Sequence, residues 1–228
     1  MDRSRIGCLA DPCCIAVVLL TTTLKETFHM HPQHSYRHRI LALPGSLRRV
    51  SYNRKLLEAC VDCAPSDLRI ELFDDLAEVP MFNEDLESDK PLHTGVDRLL
   101  EAVAGVDGLL IATPEYNQSI PGVLKNAIDW LSRPLPEELL IGKPMAILGV
   151  SSGRWGTRLA QAALRQTLTA TEAQVMSAPM LFVRDAERMF EDDGTLHDAA
   201  TQASLHAFLL AFSNWVERVG SQRAAIAA

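Results

Sequence analysis

Three short stretches of the chain combine residue types and spacings that suit chemistry. "GSLRRVSYN", residues 45–53, sets Gly45, the hydroxyls of Ser46 and Ser51, the Asn53 amide and the cations Arg48 and Arg49 directly ahead of a helical pattern. Glycine permits a tight turn and free N–H groups at a helix start favour an anion, so the stretch has the composition of a phosphate cradle. It lacks both the GK[ST] ending of a triphosphate-binding loop and the G-x-G-x-x-G spacing of a dinucleotide fold. "PEYNQSIP", residues 114–121, carries a proline at each end. Pro114, Glu115, Tyr116 and Asn117 would form a rigid polar ledge able to hydrogen-bond the edge of a planar heterocycle. In "SSGRWGTR", residues 151–158, Ser151, Ser152 and Gly153 precede the cations Arg154 and Arg158.

Other readings compete for some of these residues. Ser51 is well placed to cap the helix that follows. Gly149-Val150-Ser151-Ser152-Gly153 fits the G-x-S-x-G elbow and precedes Asp185, Asp192 and His197, the chain order of a serine esterase acting through Ser151. Cys60 and Cys63 have redox or zinc spacing, yet they fall inside a helical pattern and read as buried or half-buried helix residues. "HMHPQHSYRH" holds four of the seven histidines, with no acid or cysteine spaced to complete a site, so no metal is expected. His93, His197 and His206 read as surface residues of helices or loops.

The elements that must position these stretches begin at Arg39. Continuous apolar runs "ILALP", "GLLIATPE", "KPMAILGVSS" and "QVMSAPMLFV", with the alternating "LRIELFD", predict five strands. Between and after them, helical periodicity marks residues 53–64, 93–106, 121–132, 157–170 and 197–219. Strict alternation implies parallel strands joined by right-handed crossovers, with helices on both faces of one sheet. In such an α/β doubly wound sheet a ligand lies beyond the carboxyl ends of the strands, where strand order reverses. The three stretches follow predicted strands one, three and four. Val123, Leu124, Ala127, Ile128 and Leu131 form an apolar helix face for the core or for a partner subunit, and Lys125, Asn126 and Asp129 read mostly as its polar side.

At 228 residues the chain suits one domain, here residues 39–228, with residues 1–38 expected to be a disordered extension. The apolar run "CCIAVVLLTTTL" is too short to span a bilayer. A formal charge of −7 argues against nucleic acid or an anionic membrane as partner, and favours a small molecule. Five irregularly spaced cysteines suit a reducing cytoplasm better than a disulfide framework.

"GSLRRVSYN", "PEYNQSIPGVLKNAIDW" and "GKPMAILGVSSGRWGTRLAQAALRQ", at these separations, resemble the NADPH-dependent FMN reductase family, over about residues 39 to 219. The resemblance implies a flavodoxin-like five-stranded sheet and a homodimer or homotetramer. It also implies FMN as cofactor, with NADPH or NADH as co-substrate. Ser46, Arg48, Ser51 and Asn53 match the residues around the FMN phosphate. Pro114, Glu115, Tyr116 and Asn117 match the loop beside the flavin ring, and Ser151, Ser152 and Gly153 match a third flavin-side loop. Where the family often has paired glycines, this chain has Gly156-Thr157 before Arg158. The implied activity passes hydride to FMN and on to a quinone, chromate, azo or flavin acceptor in a ping-pong sequence, with no catalytic side chain. Its rival is a flavodoxin-like electron carrier or redox sensor.

Overall fold

A computed structural model describes residues 36–88, 90–133 and 138–227. Most of the expected N-terminal extension therefore lies outside the described residues. Six strands, all paired in parallel, form the sheet: β1 (His38–Pro44), β2 (Leu68–Leu72), β3 (Gly108–Ala112), β4 (Pro144–Val150), β5 (Gln174–Val175) and β6 (Leu181–Val183). Their order is β2-β1-β3-β4-β5, with β6 also on β4. The order reverses between β1 and β3, which makes the carboxyl ends of those two strands the switch point.

Among the described residues, six α-helices accompany the strands: α1 (Tyr52–Asp62), α2 (Glu84–Ser88), α3 (Thr94–Ala104), α4 (Gly122–Leu131), α5 (Arg158–Thr169) and α6 (Ala199–Ala227). Because side chains alternate along a strand, β1, β3 and β4 feed two cores at once. Ile40, Ala42, Leu110, Leu148 and Val150 pack with α1 and α6 through Leu56, Leu57, Phe208 and Phe212. Leu41, Leu43, Leu109, Ile111 and Ile147 pack with α3, α4 and α5 through Leu99, Leu124, Trp130 and Leu164. Burial on both faces is why these strands read as unbroken apolar runs.

The single fifth strand expected over residues 174–183 is instead two, β5 and β6, separated by Met176 to Met180. Pro179 offers no N–H to a ladder, so a continuous strand fails there. Two side chains of α5 serve the interrupted edge, Arg165 donating from Nη1 to the Met176 carbonyl at 2.7 Å and Gln161 from Nε2 to that of Leu181 at 2.9 Å. Short α2 also appears in the linker after β2. That linker is held by α4: Asn126 is buried, accepts from Phe82 N–H at 2.7 Å and donates to the Pro80 carbonyl at 2.9 Å. Trp130 Nε1 donates to the same carbonyl at 2.8 Å. Asn126 is thus a buried anchor rather than a polar-face residue, whereas Lys125 and Asp129 pair on the surface at 2.6 Å.

Gly149 in β4 has no room for a side chain. A Cβ there would lie 2.1 Å from Thr157 Oγ1 and 2.4 Å from the Thr113 carbonyl oxygen. The start of α5 therefore rests directly on the β4 backbone. Gly149→Ala is expected to cost about 2–3 kcal/mol through overpacking, seen as a fall of roughly 6–10 °C in the melting temperature; an unchanged melting temperature would refute this close-contact account.

Candidate functional site

The first loop leaves β1 at Gly45, whose N–H donates to the Ala112 carbonyl at 2.8 Å and keeps the loop against the end of β3. Ser46 and Ser51 are both buried. Ser51 caps α1, its side chain accepting from Arg54 N–H at 3.3 Å. The N–H groups of Tyr52 and Asn53, first in the helix, have no partner one turn back and face the loop end of the element. The guanidinium groups of Arg48 and Arg49 stand on exposed residues of the same loop. The Asn53 side chain is committed elsewhere. Its Nδ2 donates to the Val150 carbonyl and its Oδ1 accepts from Val150 N–H, each at 3.0 Å, so only its backbone remains for an anion.

The second loop follows β3. Thr113 is fully buried, its hydroxyl donating to the Pro114 carbonyl at 2.8 Å. Pro114 is buried beneath the loop. Tyr116 and Ser119 exchange two backbone hydrogen bonds of 3.0 Å around Asn117 and Gln118, whose φ angles are 49° and 63°. Two successive left-handed residues make a type I′ turn, in which asparagine is favoured at the first position. The turn presents Tyr116 with its ring half in solvent and its hydroxyl 3.2 Å from Ser46 Oγ. The Glu115 side chain reaches across to α5. One carboxylate oxygen accepts from Leu159 N–H at 2.8 Å and Ala160 N–H at 3.0 Å, capping α5, whose own cap residue Thr157 supplies no side-chain bond.

The third loop leaves β4 at Ser151. The Ser151 N–H donates to the Val183 carbonyl at 3.1 Å, and its hydroxyl donates to the Gly156 carbonyl at 2.9 Å. Gly156 has a φ of +66°, a left-handed turn that glycine adopts without strain. Ser152 and Gly153 are exposed on this turn with Arg154 and Trp155. The arginines that follow lie over aromatic faces, Arg154 over Trp155 at 4.8 Å and Arg158 over Phe182 at 5.2 Å.

All three loops thus meet at the carboxyl ends of β1, β3 and β4, and polar contacts join each to the others. Ser46 to Tyr116 links the first to the second, Asn53 to Val150 the first to the third, and Glu115 to α5 the second to the third. The links through Thr113, Thr157 and Gly149 had no sequence signal of their own. Nor did the Glu115 cap: Thr157, a residue type that caps helices, stands at the start of α5, and only the structure shows that it makes no side-chain cap bond.

A serine nucleophile needs a base on its hydroxyl. Among the described residues no histidine contacts Ser151: His197 lies 3.5 Å from Glu191, His206 binds the Cys63 carbonyl at 3.1 Å, and His93 caps α3. Cys60 is buried and Cys63 half-buried, both as free thiols. Burial pushes both thiol pKa values up, Cys60 well above its ordinary value, so neither favours the reactive thiolate. The apolar residues Leu124, Ala127, Ile128 and Leu131 of α4 are all buried in the chain's own core, the first of the two uses read for that face.

Comparison with known proteins agrees with this geometry. The profile of the NADPH-dependent FMN reductase family matches residues 38–188. An NAD(P)H-dependent FMN reductase of Pseudomonas aeruginosa is 41% identical over 181 residues, covering 79% of this chain and 96% of the relative. A 2-hydroxy-1,4-benzoquinone reductase of a Burkholderia species is 38% identical over 178 residues, covering 78% of this chain and 96% of the relative. Among solved structures, the flavoenzyme NAD(P)H:(acceptor) oxidoreductase of Paracoccus denitrificans superposes with a TM-score of 0.73 at 36% identity, covering 79% of this chain and 98% of its own. The chain is a flavodoxin-like oxidoreductase and belongs to the NADPH-dependent FMN reductase family.

Proposed function

We propose that the protein binds FMN across its three loops and catalyses NAD(P)H-dependent reduction of a small electron acceptor by a ping-pong sequence. The observation that carries this reading is the convergence of the phosphate-type loop and the polar ledge at the switch point of the sheet, with α1 aimed at the first of them. The residues present fit the cofactor. Ser46, Arg48, Ser51 and the first-turn amides of α1 supply donors and positive charge for a phosphate. Pro114, Tyr116 and Asn117, with the turn at Ser151, Ser152 and Gly153, would border the ring, and Glu115 would hold the two ring-side loops together through α5. Bound FMN supplies the redox chemistry, accepting two electrons as hydride from the nicotinamide and delivering them to an acceptor.

What remains for the chain is to bind, orient and shield. No side chain has to act as nucleophile or general base, in keeping with a site whose polar side chains mostly bond backbone groups of neighbouring elements. The acceptor class we assign is quinone, with chromate, azo compounds and free flavin as further acceptors of the same two electrons. The net charge of −7 favours such small molecules over nucleic acid or anionic membrane. Among the described residues no helix is long and apolar enough to cross a membrane. We further infer a homodimer or homotetramer acting in the cytoplasm; light scattering on the purified protein tests the oligomer, and a monomer refutes it.

Two measurements test the reading. Purified protein incubated with FMN and desalted should keep flavin absorbance, and the bands should bleach when NADPH is added under nitrogen. Flavin that stays oxidised would favour the electron carrier, and protein that emerges colourless would remove the cofactor assignment. Separately, Arg48→Ala should weaken FMN binding roughly tenfold in a fluorescence titration with the folding transition unmoved, and Ser46→Ala should weaken it by a similar factor. Unaltered affinity in both variants would place the phosphate elsewhere.

A further inference from the structure

The geometry points to Arg154 and Arg158 as a clamp for a phosphomonoester, the 2′-phosphate that distinguishes NADPH from NADH. This inference rests on the reductase reading and names the residues that would select its electron donor. Both arginines are exposed, and neither makes an ion pair among the described residues. Six other arginines, Arg37, Arg39, Arg54, Arg69, Arg98 and Arg133, pair with carboxylates, whereas the contacts of these two guanidinium groups are with ring faces. Two exposed cations four residues apart thus stand on the third loop of the site and at the start of α5 with no carboxylate partner among the described residues.

Their bracing is specific. The Arg154 guanidinium carbon is 4.8 Å from the Trp155 ring centroid and that of Arg158 is 5.2 Å from the Phe182 centroid. A ring neighbour takes up none of the guanidinium N–H groups as a carboxylate would, and those groups match phosphate oxygens two at a time. The ring also restrains a long side chain beforehand, which lowers the ordering cost of binding. Trp155 remains 63% exposed, so the pair is not buried away from a ligand.

The alternative target on a dinucleotide, its pyrophosphate, suits this corner less well. A pyrophosphate typically seats on backbone amides at a helix N-terminus. At α5 the amides of Leu159 and Ala160 are already taken by the Glu115 carboxylate, which puts a negative charge where the pyrophosphate would sit. A terminal phosphomonoester carries close to two charges near neutral pH and three free oxygens. It can engage guanidinium forks without needing the helix amides that Glu115 occupies. The FMN phosphate is provided for by the first loop, so it does not compete for this pair.

The test compares adenosine 2′,5′-bisphosphate with adenosine 5′-monophosphate, which differ only by the 2′-phosphate, on the FMN-loaded protein by isothermal titration calorimetry. The wild type should prefer the bisphosphate by roughly tenfold to a hundredfold, and R154M/R158M should lose that preference. In steady-state assays the ratio of KM for NADPH to KM for NADH should rise by a similar factor in the variant. A wild type without the preference, or a variant that keeps it, overturns the clamp. So does an equal rise in both KM values, which would mark a pyrophosphate contact. If the methionine pair does not fold, R154K/R158K retains the charge and loses the forks; its preference should fall several-fold, and an unchanged preference again overturns the proposal. Failure of the reductase reading is seen separately, as a protein that holds no flavin, while the nucleotide titration still reports on the arginines.

Discussion

Two hydrogen bonds between the Asn53 amide and the backbone of Val150 set the geometry on which the site depends. They extend the β4 ladder by one side chain and lock the first turn of α1 to the sheet beneath it. Loss of that amide would leave a buried donor and acceptor unpaired, at about 1–3 kcal/mol for each. With α1 fixed, its N-terminal amides have a defined direction. The loop ahead of it, held through Gly45 to β3, has little freedom left. The Ser46–Tyr116 contact and the Glu115 cap complete a closed triangle of ties among three loops that are distant in the chain. Loops are usually the mobile part of a fold; here polar contacts tie the three loops to one another and to the strands beneath them.

This division of labour explains why the site has so little catalytic character in its side chains. A redox cofactor brings its own reactive atoms, and a protein contributes by position and by electrostatics. Polar groups that are mutually satisfied hold position well and are poor acids or bases. The remaining charge, on Arg48, Arg49, Arg154 and Arg158, lies at the rim, where it can steer anionic ligands from solution.

The fold was legible because its determinants are local. "ILALP", "GLLIATPE" and "PMAILGV" are continuous apolar runs since both faces of those strands are buried, and helical periodicity between them left one sheet class. The fifth strand misled because apolar residues run on through Met176 and Met180 while the ladder stops; Pro179 was the one mark of the break. Within the site, residue types and loop positions were readable, and partners were not. Asn53 meets a residue 97 positions away and Glu115 meets α5 across 44, separations that no motif encodes. Asn126 looked like a surface residue for the same reason, since the linker carbonyl it satisfies lies 46 residues upstream. A lone polar residue in an amphipathic helix shows where it points only once its neighbour is known.

The broken outer edge of the sheet has a consequence for how copies of this chain meet. An exposed parallel strand presents a row of unpaired N–H and C=O groups on which another strand can build. Here β5 and β6 are two and three residues long, at opposite ends of β4, and the gap between them is filled by side chains of α5. A passing strand would find two short steps with an Arg165 and a Gln161 between them, and no rail to follow. This edge of the sheet therefore offers no template on which the strand of a second copy could build.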